Sequence, residues 1–174
     1  VNLQVQLARG GAITVEAGGR KFVITTRTSL PDGQWYQTAA TDFMQALGRG
    51  ESATTVWTSG AYRIRRELAV RDDHVHVTDT VANTGQTLEA CLLEHQVAIA
   101  EPPTQVRLAG SVARALPTQS YSPSNPAAYA HWPDCGLGLV AEDDILRVHN
   151  RSFLRADGFG IADDYLGLAP GTSV

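Results

Sequence analysis

The feature that most constrains this chain is a two-residue alternation of apolar and polar side chains, restarted again and again at turn residues. Leu3, Val5 and Leu7 alternate with Gln4 and Gln6. Gly10-Gly11 then turns the chain into Ile13 and Val15, and Gly18-Gly19 turns it into residues 21–26. Leu30-Pro31-Asp32-Gly33 is another turn, in which Pro presets φ and Gly accepts a positive φ. Successive side chains of a strand point to opposite faces, so this period predicts strands with one packed and one wet face. Over residues 62–70 it places Ile64, Leu68 and Val70 on one face and Arg63, Arg65 and Glu67 on the other. Over residues 74–81, Val75, Val77 and Val81 oppose His74, His76, Thr78 and Thr80. Asp72-Asp73 and the run Asn83-Thr84-Gly85-Gln86 are turns, and a long strand is expected over residues 88–99.

Sixteen Gly and eight Pro fit such a turn-rich fold. The expectation is an all-β, antiparallel two-sheet sandwich with at most one or two short helices. One helix is expected over residues 42–47, with Thr41 or Asp42 as cap and Gly48 as terminator. Residues 117–135 contain Pro117, Pro123, Pro126 and Pro133. Proline at that density argues against a central strand and for a loop forming a lid or rim. Strands are expected again at residues 137–140, 145–149 and 159–161. Residues 1–174 read as one β-sandwich domain. Pro170-Gly171 is a turn signal with almost nothing after it, so the chain is expected to be part of a longer protein or to end in a very brief strand.

Only 18% of the residues are charged, which argues against disorder. The net charge is −4, with no Lys/Arg stripe, so neither nucleic acid nor an anionic membrane is an expected partner. No apolar run approaches the ~20 residues of a membrane helix. The chain begins at Val1, so the lack of a targeting segment leaves localisation open. Cys91 and Cys135, with 43 residues between them, form neither a zinc motif nor a redox pair; they read as buried thiols, with one disulfide as the alternative. There is no P-loop, no G-x-G-x-x-G, no G-x-S-x-G and no H-E-x-x-H. No cofactor and no metal site are expected.

Several residues could still carry chemistry. His74 and His76 share a strand face, but two ligands do not make a metal site. His95 lies among apolar neighbours and reads as a core residue or as a general acid. Asp72-Asp73, Asp143-Asp144 and Asp163-Asp164 all read as hairpin turns. Asn150-Arg151-Ser152 matches a glycosylation sequon. Trp35 follows a turn and Trp132 lies in the Pro-rich segment. Aromatics placed there suit stacking against a sugar ring, or anchor their own loop.

The stretch from Arg66 to His95, with its alternating strand ending in Val81-Ala-Asn-Thr-Gly85, resembles the middle of the galactose-mutarotase-like superfamily. Leu168-Ala-Pro-Gly-Thr172 is similar to the turn before the last strand of that group. The resemblance implies a supersandwich with a carbohydrate-binding groove, a fold shared by aldose epimerases and by domains of polysaccharide-processing enzymes of bacterial type. In the epimerases a strand His acts as acid, which His95 matches. The partner base is a Glu, and here Asp163 is the only near substitute. The expected function is therefore non-catalytic carbohydrate binding or scaffolding beside other domains of the same polypeptide, with Trp35, Trp57, Trp132, Arg65, His76 and His95 as sugar contacts. The alternatives are an aldose-1-epimerase using His95 and Asp163, and a structural packing domain.

Overall fold

A computed structural model describes residues 3–30, 32–143 and 146–174, with the side chain of Leu146 excepted. The protein is all-β, and its sheets are antiparallel. It divides into two compact units. The first comprises the residues up to Cys91 together with Leu166–Val174, and the second is Leu92–Tyr165.

In the first unit the hairpin signals are realised. β1 (Gln4–Ala8), β2 (Ile13–Ala17) and β3 (Arg20–Ser29) follow one another through the two Gly-Gly turns. β5 (Phe43–Leu47) pairs with β1 on its other side, and β4 (Trp35–Gln37) pairs with the end of β3. A second sheet is a meander of β6 (Ser52–Ser59), β7 (Tyr62–Val70) and β8 (Val75–Asn83). Alternation along β7 decides its faces: Tyr62, Ile64, Leu68 and Val70 are buried, and Arg63, Arg65 and Glu67 are exposed.

Arg66 breaks that rule, because it is 1% exposed on the buried face. Its Nε and Nη2 donate to both oxygens of its cross-strand partner Asp79, at 2.7 and 2.5 Å. Nη2 also donates to Thr26 Oγ1 on β3 at 2.8 Å, and Nη1 donates to the Gly11 carbonyl. The guanidinium lies 5.2 Å from the centre of the Trp57 ring. Each nitrogen of this buried cation thus has a partner, which helps it tolerate desolvation. The two sheets of this unit are bolted face to face through it. Gly11, with φ of 91°, is required at this contact, since a Cβ there would run into the Trp57 ring.

The boundary between the units falls within β9 (Glu89–Ala98). In the second unit β10 (Gln105–Leu108), β11 (Ser111–Val112), β13 (Ala127–His131) and β14 (Gly136–Val140) form a four-stranded sheet in the order β11-β10-β13-β14. β12 (Thr118–Tyr121), β15 (Asn150–Leu154) and β16 (Gly158–Leu168) continue the order β12-β15-β16-β9. β15 is buried on both faces, as is most of β16.

Four expectations are corrected. Residues 42–47 are not a helix: Phe43–Leu47 is β5, held by ladder pairs such as Val5↔Leu47 and Gln6↔Ala46, and tertiary pairing outweighs the local helical signal. Residues 117–135 are not one loop, because they contain β12 and β13. The prolines stand at strand ends, Pro117 before β12, Pro123 and Pro126 between the strands, and Pro133 after β13. Residues 146–148 form a 3-10 turn rather than a strand, and Ile145 lies outside the described residues, as do Pro31 and Asp144. Asp163-Asp164 lies inside β16 rather than in a hairpin turn. Asp163 does make the turn-type bond of an Asx residue, Oδ1 accepting the Tyr165 N–H at 2.7 Å. Elsewhere, Cys91 and Cys135 form no disulfide. After the Pro170-Gly171 turn, Ser173 makes an isolated antiparallel bridge to Ala82 on β8.

Removing the Arg66 guanidinium while leaving Asp79 buried should cost about 3–5 kcal/mol. Arg66→Ala should lower the urea midpoint accordingly. The double variant Arg66→Met with Asp79→Val should recover most of the loss, a difference that equilibrium denaturation of the two variants measures directly.

Candidate functional site

The residues expected to contact sugar scatter once folded. Trp57 is 7% exposed, in the Arg66 bolt. Trp132 is 4% exposed, and its Nε1 donates to the Glu101 carbonyl at 3.0 Å, so it anchors the chain after β13. Trp35 alone of the three stays open, with the Arg27 guanidinium 4.3 Å from its ring centre. Arg65 and His76 both lie on the exposed face of the β6-β7-β8 sheet. An open groove of about 520 Å³ crosses that face, with Gln45, Ser52, Thr54, Glu67, His76 and Thr78 among its lining. The groove has hydrogen-bonding groups, and His76 is the one ring among its lining residues. His95 is half-buried on β9, and Asp163 is 7% exposed on β16. The sequon at Asn150 is inaccessible, because Asn150, Arg151 and Ser152 are all buried in β15.

The second unit gathers most of the perturbed chemistry at one place. Glu94 interrupts the apolar run of β9 and is 1% exposed. A carboxylate so buried must be paired, and two arginines answer it. Arg155 binds it with both terminal nitrogens, at 2.7 and 2.9 Å, and Arg151 Nη2 donates to it at 2.8 Å. Arg151 Nε reaches on to Asp164 Oδ2 at 2.6 Å, and the Tyr121 hydroxyl donates to that same oxygen at 3.0 Å. Both guanidinium groups also lie over the Phe153 ring, Arg155 at 4.2 Å and Arg151 at 5.5 Å from its centre.

Register explains how arginines from the β15 side reach a carboxylate on β9. Arg151 is opposite Ala162 and Phe153 is opposite Gly160 on the intervening strand β16. Small residues there leave the arms a clear path. Gly160 is doubly constrained, because a Cβ would meet both the His95 carbonyl and the Phe153 ring.

Tyr121, where this network ends, is exposed, and so are the rings of His149 and Tyr165. His149 and Tyr165 are 5.5 Å apart between centroids and inclined at 59°. Burial and the bond to Asp164 push the Tyr121 phenol up. Burial also pushes the Asp163 carboxyl up, against the opposing pull of the Tyr165 N–H and of His149. Asp163 Oδ2 itself is shut from solvent and has no hydrogen-bond partner.

Tyr121, His149 and Tyr165 were not among the site residues expected from the sequence, which named Asp164 only as half of a turn. Asp164 was hidden by the turn reading of its pair. A signal did exist in Glu94, because a single carboxylate within Cys91-Leu92-Leu93 and Val97 demands a buried cation somewhere in the chain.

Glu94→Gln should cost about 3–5 kcal/mol, since it leaves two largely buried guanidinium groups facing a neutral amide. Differential scanning calorimetry would register this as a lower Tm. The loss of order should show first at Tyr121, whose fluorescence or NMR signal reports the far end of the network. Compared with known proteins, the chain matches no family model, no curated protein and no solved structure.

Proposed function

We propose that this chain is a non-catalytic carbohydrate-contact domain, and that the sugar sits against Tyr121, His149 and Tyr165. The observation that carries this reading is that three exposed rings lie at one end of β12, β15 and β16, Tyr121 held by the ion network and His149 against Tyr165. A sugar ring offers C–H groups to an aromatic face and hydroxyls to polar groups at its edge. The resemblance of residues 66–95 and 168–172 to the galactose-mutarotase-like superfamily points to the same ligand class.

The non-catalytic part of the reading rests on Asp163. A general base must come within hydrogen-bond reach of its proton. The free oxygen of this carboxyl is closed off, and its other oxygen is engaged by Tyr165.

Two measurements test the proposal. In calorimetry against a panel of mono- and oligosaccharides, Tyr121→Ala and Tyr165→Ala should each weaken binding about fivefold, corresponding to ~1 kcal/mol per lost ring contact. His76→Ala should leave affinity unchanged; the reverse pattern would move the contact to the groove on the β6-β7-β8 sheet. Binding of no sugar by the wild-type chain at millimolar concentration would favour a packing domain. In polarimetry, fresh α-glucose and α-galactose should equilibrate at the buffer rate. Acceleration that disappears in His95→Ala would overturn the non-catalytic reading.

A further inference from the structure

We propose that Asp163 is held as a carboxylic acid whose O–H donates to Asn150 Oδ1, a shared proton that latches β16 to β15. This goes beyond the carbohydrate reading and does not depend on it.

The argument starts from register. Asn150 and Asp163 are direct cross-strand partners, so their side chains leave the same face, with Cβ atoms roughly 5 Å apart. Both residues are buried, at 6% and 7% exposure. Asn150 Oδ1 and Asp163 Oδ2 are both closed to solvent, and neither has a hydrogen-bond partner. Two neighbouring buried acceptors with no donor between them are each costly. One proton on Asp163 removes both deficits, because a protonated carboxyl is a donor where a carboxylate is acceptor-only. Burial acts in the same direction, favouring the neutral form.

The groups around Asp163 are consistent with this. Asp164 is adjacent on β16, but its Oδ2 is committed to Arg151 and Tyr121. Glu94 on β9 lies on that same opposite side, tied to both arginines, and by alternation along β9 His95 shares the side of Asp163. Across the ladder, Ser152 and Ile161 form the next pair on that side, and Ser120 of β12 continues it, so β15 and β12 bring no cation. His149, just before β15, is the group whose charge opposes the proton.

The sign of the linkage follows. A carboxyl whose folded pKa is raised gives stability that is fully present below its unfolded value, about 3.9 for Asp. That stability is lost as pH rises from there through the raised folded value, because the folded state binds the extra proton. One such group changes the unfolding constant by at most about tenfold per pH unit.

The test is a carbon-detected NMR titration of the Asp163 carboxyl in the full chain, together with urea unfolding across pH for wild type and Asp163→Asn. Asn carries a permanent donor in nearly the same shape. The expected result is that Asp163 titrates above the ordinary Asp range. Wild-type stability should fall as pH rises above about 4, and Asp163→Asn should flatten that fall and match or exceed wild type at its upper end. Titration at or below the ordinary value would overturn the proposal. So would a several-fold larger unfolding constant for Asp163→Asn than for wild type at neutral pH, which would mean that an ionised Asp163 accepts from the Asn150 amide instead. Failure to bind any sugar would leave both results standing and would count only against the proposed function.

Discussion

The second unit depends on a carboxylate taken out of water in the middle of a strand. Glu94 cannot occupy its place on β9 uncompensated, and the cations that answer it come from β15 and from the turn after it. That one demand explains several features at once. Residues on the intervening strand β16 must be small, which Gly160 and Ala162 are. Phe153 must lie flat enough to carry both guanidinium groups. Asp164 then takes the remaining reach of Arg151. A buried pair of this kind adds little net stability relative to an apolar equivalent, but its geometry is specific, because a shift of register would leave charges unpaired. The first unit uses the same device in Arg66 and Asp79.

A rigid interior network that ends at a solvent-exposed hydroxyl is a way of placing a surface side chain. Tyr121 is anchored through its oxygen, so its ring loses the freedom that an exposed tyrosine ordinarily keeps. Ordering a ligand-contact group before the ligand arrives lowers the entropic cost of binding. The groove on the other unit lacks such a foundation: its Glu67 is paired with Arg65 at a solvent-exposed bridge of 2.6 Å, an interaction that water and salt weaken.

The fold was legible where the chain alternates in water-facing strands. Residues 3–26 and 62–83 show this, because one polar and one apolar face leave a period of two in the sequence. It was illegible where that asymmetry disappears. β15 is buried on both faces, yet reads Asn-Arg-Ser-Phe-Leu, since its polar residues face partners rather than solvent. Prolines in residues 117–133 were read as breaking any strand, whereas they bracket two. β5 carries four exposed residues in a row, so no pattern distinguishes it from a short helix, and only pairing with β1 decides. The candidate site inherits these difficulties. Tyr121, His149 and Tyr165 are brought together by strands that sequence periodicity does not reveal, while the tryptophans that attract attention in the sequence are mostly used to hold the structure.

The absence of a disulfide between Cys91 and Cys135 also bears on how the protein meets its chemical surroundings. Cys91 is 3% exposed in β9 and Cys135 is half-buried after β13, and no covalent cross-link joins distant parts of the chain. The unfolded ensemble of this chain is therefore not restrained by a disulfide, and packing, ladders and buried ions favour the native state without one. A reductant removes nothing that holds it, and an electrophile meets one thiol, at Cys135, well before the other.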